Sequence, residues 1–151
     1  MTPEQLPGVI GIHHVAIAVP DLDEALAFWM GTMGGTLELR AAVPDFGVEA
    51  ACIEWPGASG AALPHGSDYE LLAPLDETGG VARFLAANGP GIHHVAWAVA
   101  DVEAALAALA RAGARLIDET PRPGLHGSPV AFVHPKSMGG VLVELVEVAA
   151  A

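Results

Sequence analysis

At 151 residues, with 52% hydrophobic and 16% charged residues, the chain has the size of one globular domain or of two half-size modules sharing a core. So much apolar material excludes disorder. Eighteen acids against six bases give a net charge of −12, which repels phosphate backbones and excludes general nucleic-acid binding. Cys52 is the single cysteine, so no intrachain disulfide forms; it reads as a small buried hydrophobe in a reducing, cytoplasmic setting. Residues 1–8 carry no export signal, and no apolar run approaches the ~20 residues of a membrane span, so no membrane partner is expected.

The first element in chain order announces a repeat. Residues 11–19 read GIHHVAIAV and residues 91–99 read GIHHVAWAV, identical at eight of nine positions. The register runs on without a gap: Asp21, Ala25, Leu26 and Ala27 match Asp101, Ala105, Leu106 and Ala107. Two copies of one unit are the direct reading.

Each copy opens with a strand rich in Val, Ile and Ala. Asp21 and Asp101 then stand where a helix N-cap is needed, and Glu24 follows Asp21 as in a capping box. Apolar residues recur at helical spacing: Leu22, Leu26, Trp29 and Met33 in the first copy, Val102, Leu106 and Leu109 in the second. Gly34-Gly35 and Gly113 close these helices. Three strands are expected after each helix: Thr36–Ala41, Val48–Trp55 and Tyr69–Ala73, then Arg115–Asp118, Val130–His134 and Val141–Val148. Turn-forming stretches separate them, among them Pro56 to Gly66. Gly79 to Asn88 reads as a connecting helix that buries Val81, Phe84 and Leu85. The expected fold class is α+β: two tandem βαβββ modules in a single domain. Module one covers about 11–74, the linker helix about 78–89 and module two about 91–148.

Strand alternation sorts each His pair. His13 shares a face with Val15, Ile17 and Val19, which pack under the helix. His14 lies on the other face with Ala16 and Ala18, and His94 repeats it beside Ala96 and Ala98. A duplicated histidine among small residues points to ligation on a pseudo-twofold axis. The matching carboxylates are Glu70 and Glu144, each flanked by apolar residues where an unpaired charge is costly; Glu147 reads as exposed. Two imidazoles and two carboxylates suit cobalt, manganese, nickel or zinc.

This plan resembles the vicinal oxygen chelate (glyoxalase/bleomycin resistance/dioxygenase) superfamily, whose pseudo-twofold fold has a cupped mixed β-sheet. Within it, DETPRPGLHG at 118–127, VAFVHPKS at 130–137, GGVLVELVE at 139–147 and LLAPLDETGGVARFLAANG at 71–89 resemble the methylmalonyl-CoA epimerase family. The resemblance implies a divalent ion, cobalt first by family, on His14, Glu70, His94 and Glu144. It implies an isomerase that inverts C2 of an acyl-CoA through an enolate, and a homodimer. Glu144 matches one of the family's acid/base groups. Some members place the second glutamate three residues after the glycine of an EQGV segment. Here that position, in Asp45-Phe46-Gly47-Val48-Glu49-Ala50, is Ala50, so Glu49 is the candidate if a loop gap turns it inward. Arg122 and Lys136 are the candidates for the CoA tail. Arg40, Arg83, Arg111 and Arg115 read as surface charges. Alternatives are a glyoxalase-like lyase on the same ligands, or a metal-free small-molecule (antibiotic) binding protein on the same fold.

Overall fold

The computed structural model describes residues 5–55 and 69–149; the expected turn from Pro56 to Gly66 lies outside them. By packing, the chain falls into two compact units, which part inside the duplicated strands. One comprises residues 14–93, and the other joins the N-terminal stretch up to His13 to everything from His94 onward.

The first βαβββ copy runs β1 (Val9–Ala18), α1 (Leu22–Leu26), β2 (Thr36–Val43), β3 (Val48–Glu54) and β4 (Tyr69–Pro74), and α2 (Gly80–Asn88) follows it. Its strand order is β2-β3-β4-β1. β1 lies parallel to β4, and the β2–β3 and β3–β4 pairs are antiparallel. Asp21 caps α1 as expected, its carboxylate accepting the Glu24 N–H at 3.0 Å. The helix does not stay α-helical. Ala27–Thr32 widens into a π-helical turn, in which the Met33 N–H donates five residues back to Phe28. The extra residue rotates the chain beyond it, so Met33 is 48% exposed where a regular helix would bury it. Trp29 stays on the buried side and meets Trp55 and Tyr69 edge to face. Val19, Leu22, Leu26, Ile53 and Leu71 form the core of this unit.

β2 is irregular at one point. Leu37 pairs with Ile53 and Leu39 with Cys52, so Glu38 is an extra residue, a β-bulge. Leu37 and Ile53 belong to the core under the helix.

The second copy runs β5 (Gly91–Val99), α3 (Val102–Arg111), β6 (Arg122–Pro123), β7 (Pro129–Val133) and β8 (Val143–Glu147). Its order is β5-β8-β7-β6, with β5 parallel to β8 and the other pairs antiparallel. Asp101 caps α3 through the Ala104 N–H at 3.0 Å. Val99, Val102, Leu106, Val133 and Leu145 form this core. The strand expected at Arg115–Asp118 is reduced to a single bridge, Leu116 with Val133. Asp118 is the reason: its carboxylate takes the Phe132 N–H at 2.8 Å, while the Phe132 carbonyl receives both Ile117 and Asp118. A side chain has replaced the ladder. The outer strand is instead the short β6. No helix among the described residues is long and apolar enough to cross a membrane.

Candidate functional site

The two histidines singled out by duplication are both buried, His14 at 4% and His94 at 2% exposure. Alternation along β1 and β5 sets them on one face with Ala16, Ala18, Ala96 and Ala98, all fully buried. Ile17 and Trp97, on the opposite face, pack against the helix-side cores. The expected hollow beside the alanines is therefore the more buried side of each strand.

Each histidine faces the carboxylate expected for it. In one unit His14 Nε2 lies 3.3 Å from Glu70 Oε2; in the other, His94 Nε2 lies 3.2 Å from Glu144 Oε2. Both glutamates are 9% exposed. Glu70 pairs with Ala16 and Glu144 with Ala96, so the two arrangements are copies at the level of register as well. The gaps are wider than the 2.7–2.9 Å typical of a charge-assisted N–H···O contact. They match an edge of a coordination polyhedron: ligands held about 2.0–2.2 Å from a metal stand about 3.0–3.4 Å apart. Neutral imidazole nitrogen and carboxylate oxygen are also the donors that borderline divalent ions take. Each pair thus offers donors that fit a divalent ion. His94 is further steadied by Phe132, edge to face at 5.2 Å.

Glu49 is on the wrong face for the role expected of it. It pairs with Ala42 and Ala73, in phase with Ala51, Leu71 and Ile53, which form the helix-side core. Its carboxylate receives Arg40 Nη2 at 2.7 Å and Nε at 3.0 Å, while Arg40 Nη1 reaches Asp23 at 2.6 Å. Hydrogen bonds to these two acids raise the Arg40 pKa above its ordinary value. Arg40 is therefore a clamp between α1, β2 and β3 rather than a stray surface charge. Cys52 is buried, as expected, and stands opposite Glu70 in the β3–β4 ladder.

The two CoA candidates fall in the loops of the second unit. Arg122 begins β6, with its Nε 3.5 Å from Asp118. Lys136 is exposed in the short 3-10 turn Pro135–Ser137. That turn is capped by His134, whose Nδ1 accepts the Lys136 N–H at 3.1 Å. Desolvation, then the nearby Arg115 and Lys136 charges, lower the His134 pKa. Neither the His134 cap nor the Glu38 bulge was anticipated. The first had a signal in the His-Pro-Lys order; the second depends on strand register, which composition does not display.

Comparison with known proteins places these features in a family. The glyoxalase/bleomycin resistance protein/dioxygenase superfamily matches residues 13–132. The chain is 42% identical over 139 residues to the ethylmalonyl-CoA/methylmalonyl-CoA epimerase of Cereibacter sphaeroides, covering 91% of this chain and 97% of that one. The crystal structure of methylmalonyl-CoA epimerase from Mycobacterium tuberculosis superposes with a TM-score of 0.84 at 39% identity, over 97% of this chain and 93% of that one. A methylmalonyl-CoA epimerase in complex with methylmalonyl-CoA and NH4+ gives 0.84 at 37% identity, over 94% and 96%.

Proposed function

Because the chain belongs to the glyoxalase/bleomycin resistance protein/dioxygenase superfamily, with its vicinal oxygen chelate fold, we propose that it is a methylmalonyl-CoA epimerase. It interconverts the two configurations at C2 with the help of one divalent ion. The observation that carries this reading is the duplicated, buried His–Glu pair. His14, Glu70, His94 and Glu144 are the proposed ligands, and His14, His94 and Glu144 are among the buried groups of metal-binding type.

The C2 proton lies between a thioester and a carboxylate and is too weakly acidic to leave unaided at neutral pH. A divalent ion held by these residues would supply positive charge where the enolate develops. The chain's own residues do the rest. His14 and His94 are both buried on strands that fix their ring nitrogens without reorganisation. Ala16 and Ala18 on β1, and Ala96 and Ala98 on β5, are buried and leave room beside the histidine of their own strand. Glu144 is the group proposed to take the C2 proton. Arg122 and Lys136 are the proposed contacts for the phosphates of CoA. The reading extends to a cytoplasmic homodimer; the exposed Val9, Ile10, Ile12 and Ile92 supply apolar surface of the kind subunit contacts bury.

The test is solvent-deuterium exchange at C2 of methylmalonyl-CoA, with protein loaded in turn with cobalt, manganese, nickel and zinc. Exchange and interconversion are expected with at least one metal. Neither, with all four, would refute the function. Ethylmalonyl-CoA, named for the Cereibacter relative, belongs in the same assay.

A further inference from the structure

The two copies differ in what flanks their buried glutamates. Across the antiparallel ladder Glu70 stands opposite Cys52 on β3, whereas Glu144 stands opposite Phe132 on β7. A thiol is small and asks little of its neighbours' orientation; an aromatic ring has a preferred geometry with another ring. We propose that Phe132 is a positioning residue, which fixes the ring plane of His94 and so the direction in which Nε2 is offered, and that Asp118 holds Phe132 in place for it. The inference rests on the proposed ligand set and goes beyond it, to what aims one of the ligands.

His94, Glu144, Phe132 and Asp118 all belong to the unit that runs from His94 onward. Phe132 alternates with Ala131 and Val133, and Glu144 with Val143 and Leu145; those four form part of the helix-side core, so Phe132 and Glu144 lie on the other face. His94 meets both of them there. Its Nε2 is 3.2 Å from Glu144, and its ring is 5.2 Å from that of Phe132 at an interplanar angle of 89°. In an antiparallel strand the N–H and C=O of one residue point to the same side. Those of Phe132 go outward, to residues 117 and 118, rather than to β8. Phe132 and Glu144 are therefore a non-hydrogen-bonded pair, the kind in which side chains approach most closely. The torsion that turns an imidazole about its Cβ–Cγ bond is broad, so nothing within His94 sets its ring plane. The perpendicular ring of Phe132 does.

Asp118 fixes Phe132 from the outer edge. One carboxylate oxygen accepts the Phe132 N–H at 2.8 Å, and the N–H groups of Ile117 and Asp118 both donate to the Phe132 carbonyl at 3.1 Å. Three hydrogen bonds thus tie one residue's backbone to a two-residue segment, where a neighbouring antiparallel strand would make two. The loss of the strand expected at Arg115–Asp118 is what leaves a carboxylate in that place. Its other oxygen lies 3.5 Å from Nε of Arg122, a proposed CoA contact. The effect of Asp118 on the histidine is therefore to be read without substrate, by metal binding.

The experiment compares wild type with Phe132→Leu, Asp118→Ala, Asp118→Asn and Val133→Ala. Affinity for cobalt, manganese, nickel and zinc is measured by titration calorimetry without substrate, beside a thermal melt of each variant. Val133 is buried on the helix side of the same strand and is the control for lost packing alone. For F132L, affinity for each ion that wild type binds is expected to fall about tenfold or more, as for other groups that orient a ligand from behind. D118A should show the same loss in lesser degree, and it stands in should F132L fail to fold. D118N keeps an acceptor oxygen for the Phe132 N–H and should return close to wild type. V133A should melt earlier and bind metal as wild type does. Affinity within about twofold of wild type in F132L overturns the proposal, and so does an equal loss in V133A. D118N as impaired as D118A overturns the part given to Asp118. A wild-type protein that binds none of the four ions overturns the proposal together with the ligand set, a result distinguishable because it needs no variant.

Discussion

Glu144 is paired with Ala96 in the β5–β8 ladder, yet its carboxylate lies 3.2 Å from the imidazole of His94, two residues earlier on the strand. The His14–Glu70 contact repeats that diagonal at 3.3 Å across β1 and β4. Because the same offset occurs twice, the two histidines should be equivalent in their effect on metal binding. His14→Ala and His94→Ala are each expected to lower metal affinity more than about 100-fold, beyond the 10–100-fold typical of losing a group behind the ligand. Titration calorimetry and metal content after dialysis measure this directly. A variant retaining stoichiometric metal would remove that histidine from the proposed ligand set.

The two glutamates should not be equivalent. Glu70→Gln keeps a side-chain oxygen in place, so metal should stay bound and turnover should fall less than about tenfold. Glu144→Gln removes a carboxylate proposed both to bind and to move a proton. Its turnover should fall about 100-fold or more even where the metal is retained. Parallel kinetics and metal analysis on the two variants separate the roles.

Glu49 is occupied by Arg40 on the helix side of the sheet. Glu49→Gln should therefore leave turnover within about twofold of wild type, since exposed ion pairs contribute little even to stability. A thermal melt beside the rate measurement checks both points. A large loss of turnover with an unchanged melt would restore Glu49 as a candidate acid/base.

His134 sets a pH dependence away from the site. Its folded pKa is below the ordinary 6.5, from desolvation first and then Arg115 and Lys136. The unfolded chain thus binds the proton more readily. The stabilisation is fully present above the ordinary pKa and is lost as pH falls through the folded value. Protonation also ends the acceptor role of Nδ1 toward the Lys136 N–H. Proton NMR of the ring should show a midpoint below 6.5, moving up in Arg115→Gln, which removes one of the opposing charges.

Much of the fold and site was readable because it is local or duplicated. His14 and His94 stand out from His13 and His93 by the period of a strand alone, and the apolar surroundings of Glu70 and Glu144 mark two acids that need a partner. Asp21 and Asp101 cap their helices by a contact three residues away. The features missed depend on residues distant in the chain. Trp29 meets Trp55 and Tyr69, and no helical period reports the π-helical turn that accompanies those contacts. The strand expected at Arg115–Asp118 gives way because Asp118 reaches Phe132. The face of Glu49 follows from the β3–β4 register, and that of Glu38 from its being the extra residue of the bulge, visible only once β2 is laid against β3.

That residue also governs which changes of length the strand tolerates. With Glu38 deleted, Leu37 and Leu39 would still oppose Ile53 and Cys52, and every other side chain of β2 would keep its face. The ladder would simply close. A deletion in β3, where residues 49–53 pair one for one with β4, would instead turn Cys52 toward the helix and displace the hydrophobic stripe. Relatives of different length at this point in β2 can therefore share a fold while differing in whether a carboxyl group hangs over the cysteine. Chemistry here can be gained or lost by a single-codon insertion or deletion, without any substitution elsewhere in the chain.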